Sequence, residues 1–215
     1  MIIKFANNKR KGWDTLSQNI EIEFKNLLTE EEFTLLKKHL NMDESLCITQ
    51  VNHYFDTENF TLKGHGCALR IREKNRSFEL TLKQPHPEGL LETNQIISEV
   101  EAQSMLGKNA FINGPVKEAI LKLGIEPEEL SYFGSLATNR AEKEYKGGLV
   151  VLDYSTYLNQ FDYEVEYEVK DFQQGKKIFE NLLKELHIPI RRTENKIRRF
   201  YEIRKSLEAS QLPKS

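Results

Sequence analysis

Cysteine is scarce in this 215-residue chain: Cys47 and Cys67 are the only two. Two thiols cannot staple a disulfide scaffold, and with no secretory leader legible they read as reduced and buried. Long apolar runs are missing too. The start offers only Met1-Ile2-Ile3 before Lys9-Arg10-Lys11, short of the roughly 7–15 apolar residues of a secretory signal. Nothing approaches the ~20 apolar residues that a membrane-spanning helix requires. An excess of charge of one sign is also absent. The 31 Lys+Arg against 33 Asp+Glu leave a net −2, which argues against a generic nucleic-acid binder. Internal repeats and low-complexity linkers are lacking. These absences predict a cytoplasmic protein with no membrane and no nucleic-acid partner.

A 39% hydrophobic fraction at this length is enough for one domain with its own core. The expected division is an N-terminal extension over 1–18, a single domain over 19–205 and a C-terminal tail over 206–215. Helical signals are few. Thr29-Glu30-Glu31-Glu32 is a capping box followed by Phe33, Leu36 and Leu40 at helical spacing. Pro115 opens a second helix that ends at Gly124, Asp171 caps a third with the stripe Ile178, Phe179, Leu182, Leu183 and Leu186, and a last pattern runs from about Glu194 toward Leu207. The rest alternates with period two, giving candidate strands 19–26, 48–57, 67–74, 77–84, 89–97, 131–145, 149–157 and 160–169. Turn chemistry separates several of them, as at Asn75-Arg76 and Gly147-Gly148. Eight strands with inserted helices predict an α+β fold dominated by an antiparallel, closed sheet.

The strands carry charge opposite their apolar face. In Ile20-Glu21-Ile22-Glu23-Phe24-Lys25 the two glutamates and the lysine share one face. The same holds for Arg70 and Arg72, for Glu79, Thr81 and Lys83, and for Glu164, Glu166 and Glu168. For one strand a solvated polar face is the ordinary explanation; its recurrence is what asks for more. Like charges two apart on a strand sit about 7 Å from each other, a repulsion of about 2 kcal/mol per pair at an effective dielectric near 20. If the apolar faces pack against helices, the charges point into a barrel. Acidic pairs there favour a cation, and Arg70 with Arg72 favours an anion.

This ordered set resembles the CYTH superfamily, the triphosphate tunnel metalloenzymes, and most of all the CYTH-domain proteins of Gram-positive bacteria. The resemblance rests on Glu21-Ile-Glu23-Phe-Lys25 as an ExExK motif, then Tyr54-Phe55-Asp56-Thr57, Leu69-Arg70-Ile71-Arg72, the Lys83 strand, Thr138-Asn139-Arg140, Val151-Leu152-Asp153, Glu164-Val165-Glu166 and Asn195-Lys196. It covers roughly residues 19 to 203. It implies an eight-stranded antiparallel barrel forming a triphosphate tunnel, with helices outside, that hydrolyses or cyclises a triphosphate using Mg²⁺ or Mn²⁺. By the same resemblance Glu21, Glu23 and Lys25 are catalytic. Glu21, Glu23, Asp153, Glu164 and Glu166 would hold metal, while Lys25, Arg70, Arg72, Lys83, Arg140 and Lys196 would bind substrate.

Those residue types suit the chemistry. Arginine forks match phosphate oxygens, lysines act as compact charges, and hard divalent ions take carboxylate oxygen. Departures narrow the substrate. His65-Gly66-Cys67-Ala68 precedes Arg70 with no aromatic platform, and Trp13 is the only tryptophan, so thiamine triphosphate is a poor first choice. Glu142 shares the face of Arg140, and Glu79 and Glu92 suit structural pairing at least as well as metal binding. Asp56 reads as a strand-end turn residue, none of the five histidines has metal-ligand spacing, and Arg191-Arg192 and Arg198-Arg199 read as a solvated helix face. The leading expectation is a metal-dependent hydrolase of inorganic tripolyphosphate or a nucleoside triphosphate. A class IV-type adenylyl cyclase and a non-catalytic polyphosphate or nucleotide sensor stand as alternatives. A homodimer through an outer helix stripe is compatible with the pattern.

Overall fold

The structure, a computed structural model, describes residues 17–107 and 110–211. Most of the expected extension, Trp13 included, and residues 212–215 of the expected tail lie outside the described residues. Eight strands form: β1 (Ser17–Leu28), β2 (Cys47–Asp56), β3 (Ala68–Lys74), β4 (Ser77–His86), β5 (Gly89–Ile97), β6 (Ser131–Tyr145), β7 (Gly148–Tyr157) and β8 (Gln160–Val169). They close into one antiparallel barrel in the order β1-β5-β4-β3-β2-β6-β7-β8. Closure gives each strand a hydrogen-bonded neighbour on both sides, which limits the edge open to pairing with another chain. It uses both halves of β1, whose Ser17–Glu21 pairs with β5 and whose Ile22–Leu28 pairs with β8.

Among the described residues six α-helices accompany the barrel: α1 (Glu30–His39), α2 (Thr61–Gly64), α3 (Glu99–Leu106), α4 (Pro115–Lys122), α5 (Phe172–Glu185) and α6 (Lys196–Gln211). The capping box at Thr29 forms as expected, with Glu32 N–H donating to the Thr29 hydroxyl and Thr29 N–H to the Glu32 carboxylate. Sequence reading missed α3. Its signal was present, since Ser98 and Glu101 form a second capping box, but the helix is eight residues long and its apolar stripe is weak. α6 runs past the expected domain end at 205, to Gln211.

Periodicity explains the packing. The outward residues of β3 and β4, Leu69, Ile71, Phe78, Leu80 and Leu82, are buried under α3 and α4 with Ala102, Met105, Val116 and Ile120. On the other side Val150, Leu152, Val165 and Tyr167 pack beneath α1 and α5 through Leu36, Phe179, Leu182 and Leu183. Full burial of such a leucine is worth about 1.5–3 kcal/mol, so these shells hold the barrel from outside and leave its interior to polar side chains.

One helix does not stay outside. Phe200 of α6 enters the end of the barrel and packs with Tyr54, Leu136 and Tyr157, all on inward strand faces. Gly134 makes the space: a Cβ there would lie 2.3 Å from the Phe200 ring. Asp56 anchors the same end. Its carboxylate accepts from the backbone N–H of Thr57, Leu62 and Lys63 and from the Tyr201 hydroxyl at 2.6 Å, the turn role expected of it with a tie to α6 added.

Candidate active site

Inside the barrel lies a cavity of about 980 Å³, lined by residues from all eight strands and by the start of α6. It reaches from the β6–β7 hairpin at Glu144–Leu149 to Gly66–Ala68, Leu90 and Asn195–Ile197. Alternation points Glu21, Glu23, Lys25, Arg70, Arg72, Lys83, Arg140, Glu166 and Lys196 into it. Of the eleven residues singled out from the sequence, only Asp153 and Glu164 are absent from its lining.

Those two carboxylates are fully buried in an ion-pair network one layer deeper. Arg140 grips Asp153 with two hydrogen bonds, Nε to Oδ1 at 2.8 Å and Nη2 to Oδ2 at 2.6 Å, and reaches Glu166 at 2.9 Å. Lys196 Nζ lies 2.8 Å from Asp153, 2.5 Å from Glu164 and 2.6 Å from Glu166. Arg199 completes the cluster, at 2.6 Å from Glu164 and 3.1 Å from Asp162. The solvated-face expectation fails for Arg199: one helical turn after Lys196, it points back into the barrel end. Burial opposes ionisation of Asp153 and Glu166, yet the adjoining Arg140 and Lys196 win and hold both carboxyls below the ordinary range. Three cations face four carboxylates here, and burial with Glu166 nearby pushes the Glu164 carboxyl up to about 7 despite Lys196, so the layer is close to neutral, supports the site and has little charge to offer a ligand.

The cavity wall is different. Arg70 and Arg72 on β3 have no carboxylate at ion-pair distance among the described residues. Arg72 Nε donates to Asn52 Oδ1 at 3.2 Å, and the buried Arg70 Nε has no hydrogen-bond partner. Burial, with Arg70 and then Arg140 nearby, pushes the Arg72 guanidinium down to about 10, still protonated at neutral pH. A buried cationic donor without an acceptor is costly unless an anion completes it. β3 stands on the opposite side of the barrel from β1 and β8, where the wall is acidic.

On that acidic wall Glu23 and Glu168 are direct partners in the β1–β8 ladder and both line the cavity. Like charges directly opposite destabilise a sheet. Burial, Glu21 and Glu166 push the Glu168 carboxyl up to about 7, and burial with Glu23 and Glu92 nearby raises Glu21 despite Lys83. Two lysines partly compensate. Lys25 bonds Glu23 and Asn195, and Lys83 lies 2.5 Å from Glu21 and 2.6 Å from Glu92. Among the described residues no three His, Cys, Asp or Glu side chains converge as a ready-made metal cluster. The donor set nevertheless fits a hard divalent cation: crowded carboxylate oxygens, no sulfur or imidazole, and a raised proton affinity that positive charge would relieve. Glu168 was not among the expected ligands, although its alternation with Glu164 and Glu166 was visible. Glu92 proves a partner of Lys83, and Glu142 lies 3.9 Å from Arg140.

A pH dependence follows from Glu168. A carboxyl whose folded pKa is raised above its unfolded value keeps a proton that the unfolded chain gives up. Metal-free protein therefore loses stability as pH rises from about 4.5 through 7. The Glu168→Gln variant is expected to be more stable at pH 8 by on the order of 1 kcal/mol, allowing for solvent screening, and equal at pH 4.5. Thermal unfolding in chelator at the two pH values measures this; equal gains at both would contradict it.

Comparison with known proteins agrees with this geometry. The family model described as CYTH domain matches residues 19–201. The candidate triphosphatase YjbK of Bacillus subtilis is 53% identical over 187 residues, 87% of this chain and 97% of that protein. A crystal structure of a candidate adenylate cyclase from Bacillus halodurans is 44% identical with a TM-score of 0.83, covering 86% of this chain and 98% of that one. HpAC1 from Hippeastrum, a candidate adenylyl cyclase with a dominant triphosphatase activity, is 26% identical with a TM-score of 0.71, covering 85% and 96%. With an eight-stranded closed barrel, charged faces turned inward and a family match over nearly all the described residues, the chain belongs to the CYTH domain family.

Proposed function

We propose that this protein hydrolyses the triphosphate group of a small molecule, inorganic tripolyphosphate or a nucleoside triphosphate, inside its barrel and with a divalent cation, Mg²⁺ or Mn²⁺. One observation carries the reading: a single cavity has Arg70 and Arg72, with no carboxylate at ion-pair distance among the described residues, on one wall and the crowded Glu21, Glu23 and Glu168 on the opposite wall. The triphosphatase name of YjbK and the dominant activity of HpAC1 support hydrolysis over cyclisation. With Cys47 and Cys67 both free, a reducing cytoplasm suits the chain.

Arg70 and Arg72 would bind a phosphoryl group through charge-assisted hydrogen bonds and fix its position. Lys25 and Lys83 lie beside the acidic wall, within reach of further phosphate oxygens. Arg140 and Lys196, saturated by Asp153, Glu164 and Glu166, would contribute shape and a preset field. Glu21 and Glu23 would hold the cation, which when bound would polarise phosphate oxygens and orient the attacking water. Water oxygen forms the new P–O bond, and the broken phosphoanhydride bond leaves its electron pair on the departing phosphate. The proton released passes to product phosphate or solvent. No side-chain nucleophile takes part.

Phosphate release from tripolyphosphate and from ATP, each with Mg²⁺, Mn²⁺ or chelator, tests this. Metal-dependent turnover is expected with at least one of them, with ADP and phosphate from ATP. Cyclic AMP with pyrophosphate would favour the cyclase, and tight binding without turnover of either compound the sensor. Glu21→Gln is expected to lower kcat at least about tenfold, ~1.4 kcal/mol of transition-state stabilisation.

A further inference from the structure

Lys83 stands between two carboxylates that have different tasks. Its ammonium lies 2.5 Å from Glu21 Oε2 and 2.6 Å from Glu92 Oε1. All three side chains line the cavity and are mostly buried, at 19% exposure for Lys83, 14% for Glu21 and 11% for Glu92. Lys83 and Glu92 are direct partners across the β4–β5 ladder, so backbone pairing holds them together whatever happens on β1. Glu92 is also restrained on its other oxygen, where Asn94 Nδ2 lies 3.5 Å from Oε2. Asn94 in turn bonds Asn19 on β1. Glu21 has no comparable tie: its register partner is the apolar Leu90.

We propose that Glu92 is a positioning residue that keeps the Lys83 ammonium in place when a divalent cation takes Glu21. The inference rests on the reading that Glu21 and Glu23 hold that cation. Lys83 neutralises Glu21 in the metal-free protein and so competes with metal for it. Without Glu92 the ammonium would have to cling to Glu21 or stay buried and unpaired, a costly state for a charge. With Glu92 the exchange is local. Lys83 gives up one of two carboxylates, remains charged and fixed at the cavity wall, and has a donor free for a phosphate oxygen in the cavity. The ammonium thus changes partners without leaving the site.

Calorimetric titration of Mn²⁺ alone, with no triphosphate present, separates this from a general charge effect. Lys83→Met is expected to bind Mn²⁺ at least about fivefold more tightly than the unaltered protein, because the competing cation is gone. Glu92→Gln is expected to bind at least about fivefold more weakly, because Lys83 then holds Glu21 undivided. The double variant decides the matter, since coupled residues depart from additivity. If Glu92 acts through Lys83, the pair binds Mn²⁺ as Lys83→Met does. If Glu92 is a ligand itself or only adds negative charge, the pair binds more weakly than Lys83→Met by the factor seen for Glu92→Gln alone, and the inference is overturned. Should Glu92→Gln not fold, as judged by circular dichroism, Glu92→Asp with its shorter reach gives the same comparison. An unaltered protein that binds no Mn²⁺ overturns the inference together with the cation reading of Glu21 and Glu23. Binding without the double-variant signature overturns the inference alone.

Discussion

Replacing Asp153 by alanine is expected to destabilise the metal-free protein by about 3–5 kcal/mol, the usual loss when one partner of a buried ion pair is removed. Asp153 is fully buried and receives both hydrogen bonds of the Arg140 fork together with Lys196. Its loss leaves two buried cations sharing Glu166 and Glu164. For a chain of this size that corresponds to a melting temperature lower by roughly 6–20 °C, measured by calorimetry or denaturant titration in chelator. The opposite result is informative. A carboxylate whose main role is to ligate metal is repelled by its neighbours in metal-free protein, so its removal would stabilise that form and weaken metal binding. A more stable Asp153→Ala variant would return Asp153 to the metal set suggested by the family motif and remove it from the supporting network.

Arg70→Met is expected to move activity and stability in opposite directions. The variant loses a charge-assisted phosphate contact, worth about 1.5–3 kcal/mol per hydrogen bond, so kcat/KM for tripolyphosphate should fall about a hundredfold, or ~2.7 kcal/mol. The metal-free protein should become more stable, because a buried guanidinium nitrogen without an acceptor and a neighbour that disfavours the charge on Arg72 are both removed. Such a trade marks a residue kept for binding against the interest of the fold. Steady-state kinetics and thermal unfolding of one preparation check both halves. A kcat/KM within threefold of the unaltered protein, or a destabilised variant, would remove Arg70 from the phosphate site.

The Asp153 prediction also shows where reading from the sequence stopped. Alternation put Glu164 and Glu166 on one face of their strand, the resemblance added Asp153, and all three are buried in the barrel. Neither revealed that Arg140 meets Asp153 directly across the β6–β7 ladder, or that Lys196 arrives from α6 to bond three carboxylates at once. Arg199 was placed on a solvated face for the same reason. Its partners Asp162 and Glu164 lie more than thirty residues earlier, and helical periodicity does not say that the helix turns one side into a barrel. Likewise nothing in the residue string marks Phe200 as entering the barrel, where Gly134 leaves room for its ring.

Local information sufficed for what is local. Side chains alternate along a strand, so the residue string alone separated Leu80 and Leu82 from Glu79, Thr81 and Lys83. The hydrogen-bonding geometry of a helix start made Thr29–Glu32 legible, as it would have made Ser98–Glu101. The eight strands, their order in the chain, their inward charges and the CYTH resemblance all came from such patterns. Which charges are spent on one another and which remain for a ligand was decided only by the tertiary structure. Pairing depends on distances of a few ångströms between strands that are neighbours only after closure, and a net charge of −2 is the same sum whether arginines are paired or free. Closure pairs Arg140 and Lys196 with buried carboxylates, and it leaves Arg70 and Arg72 facing the cavity across from Glu21, Glu23 and Glu168.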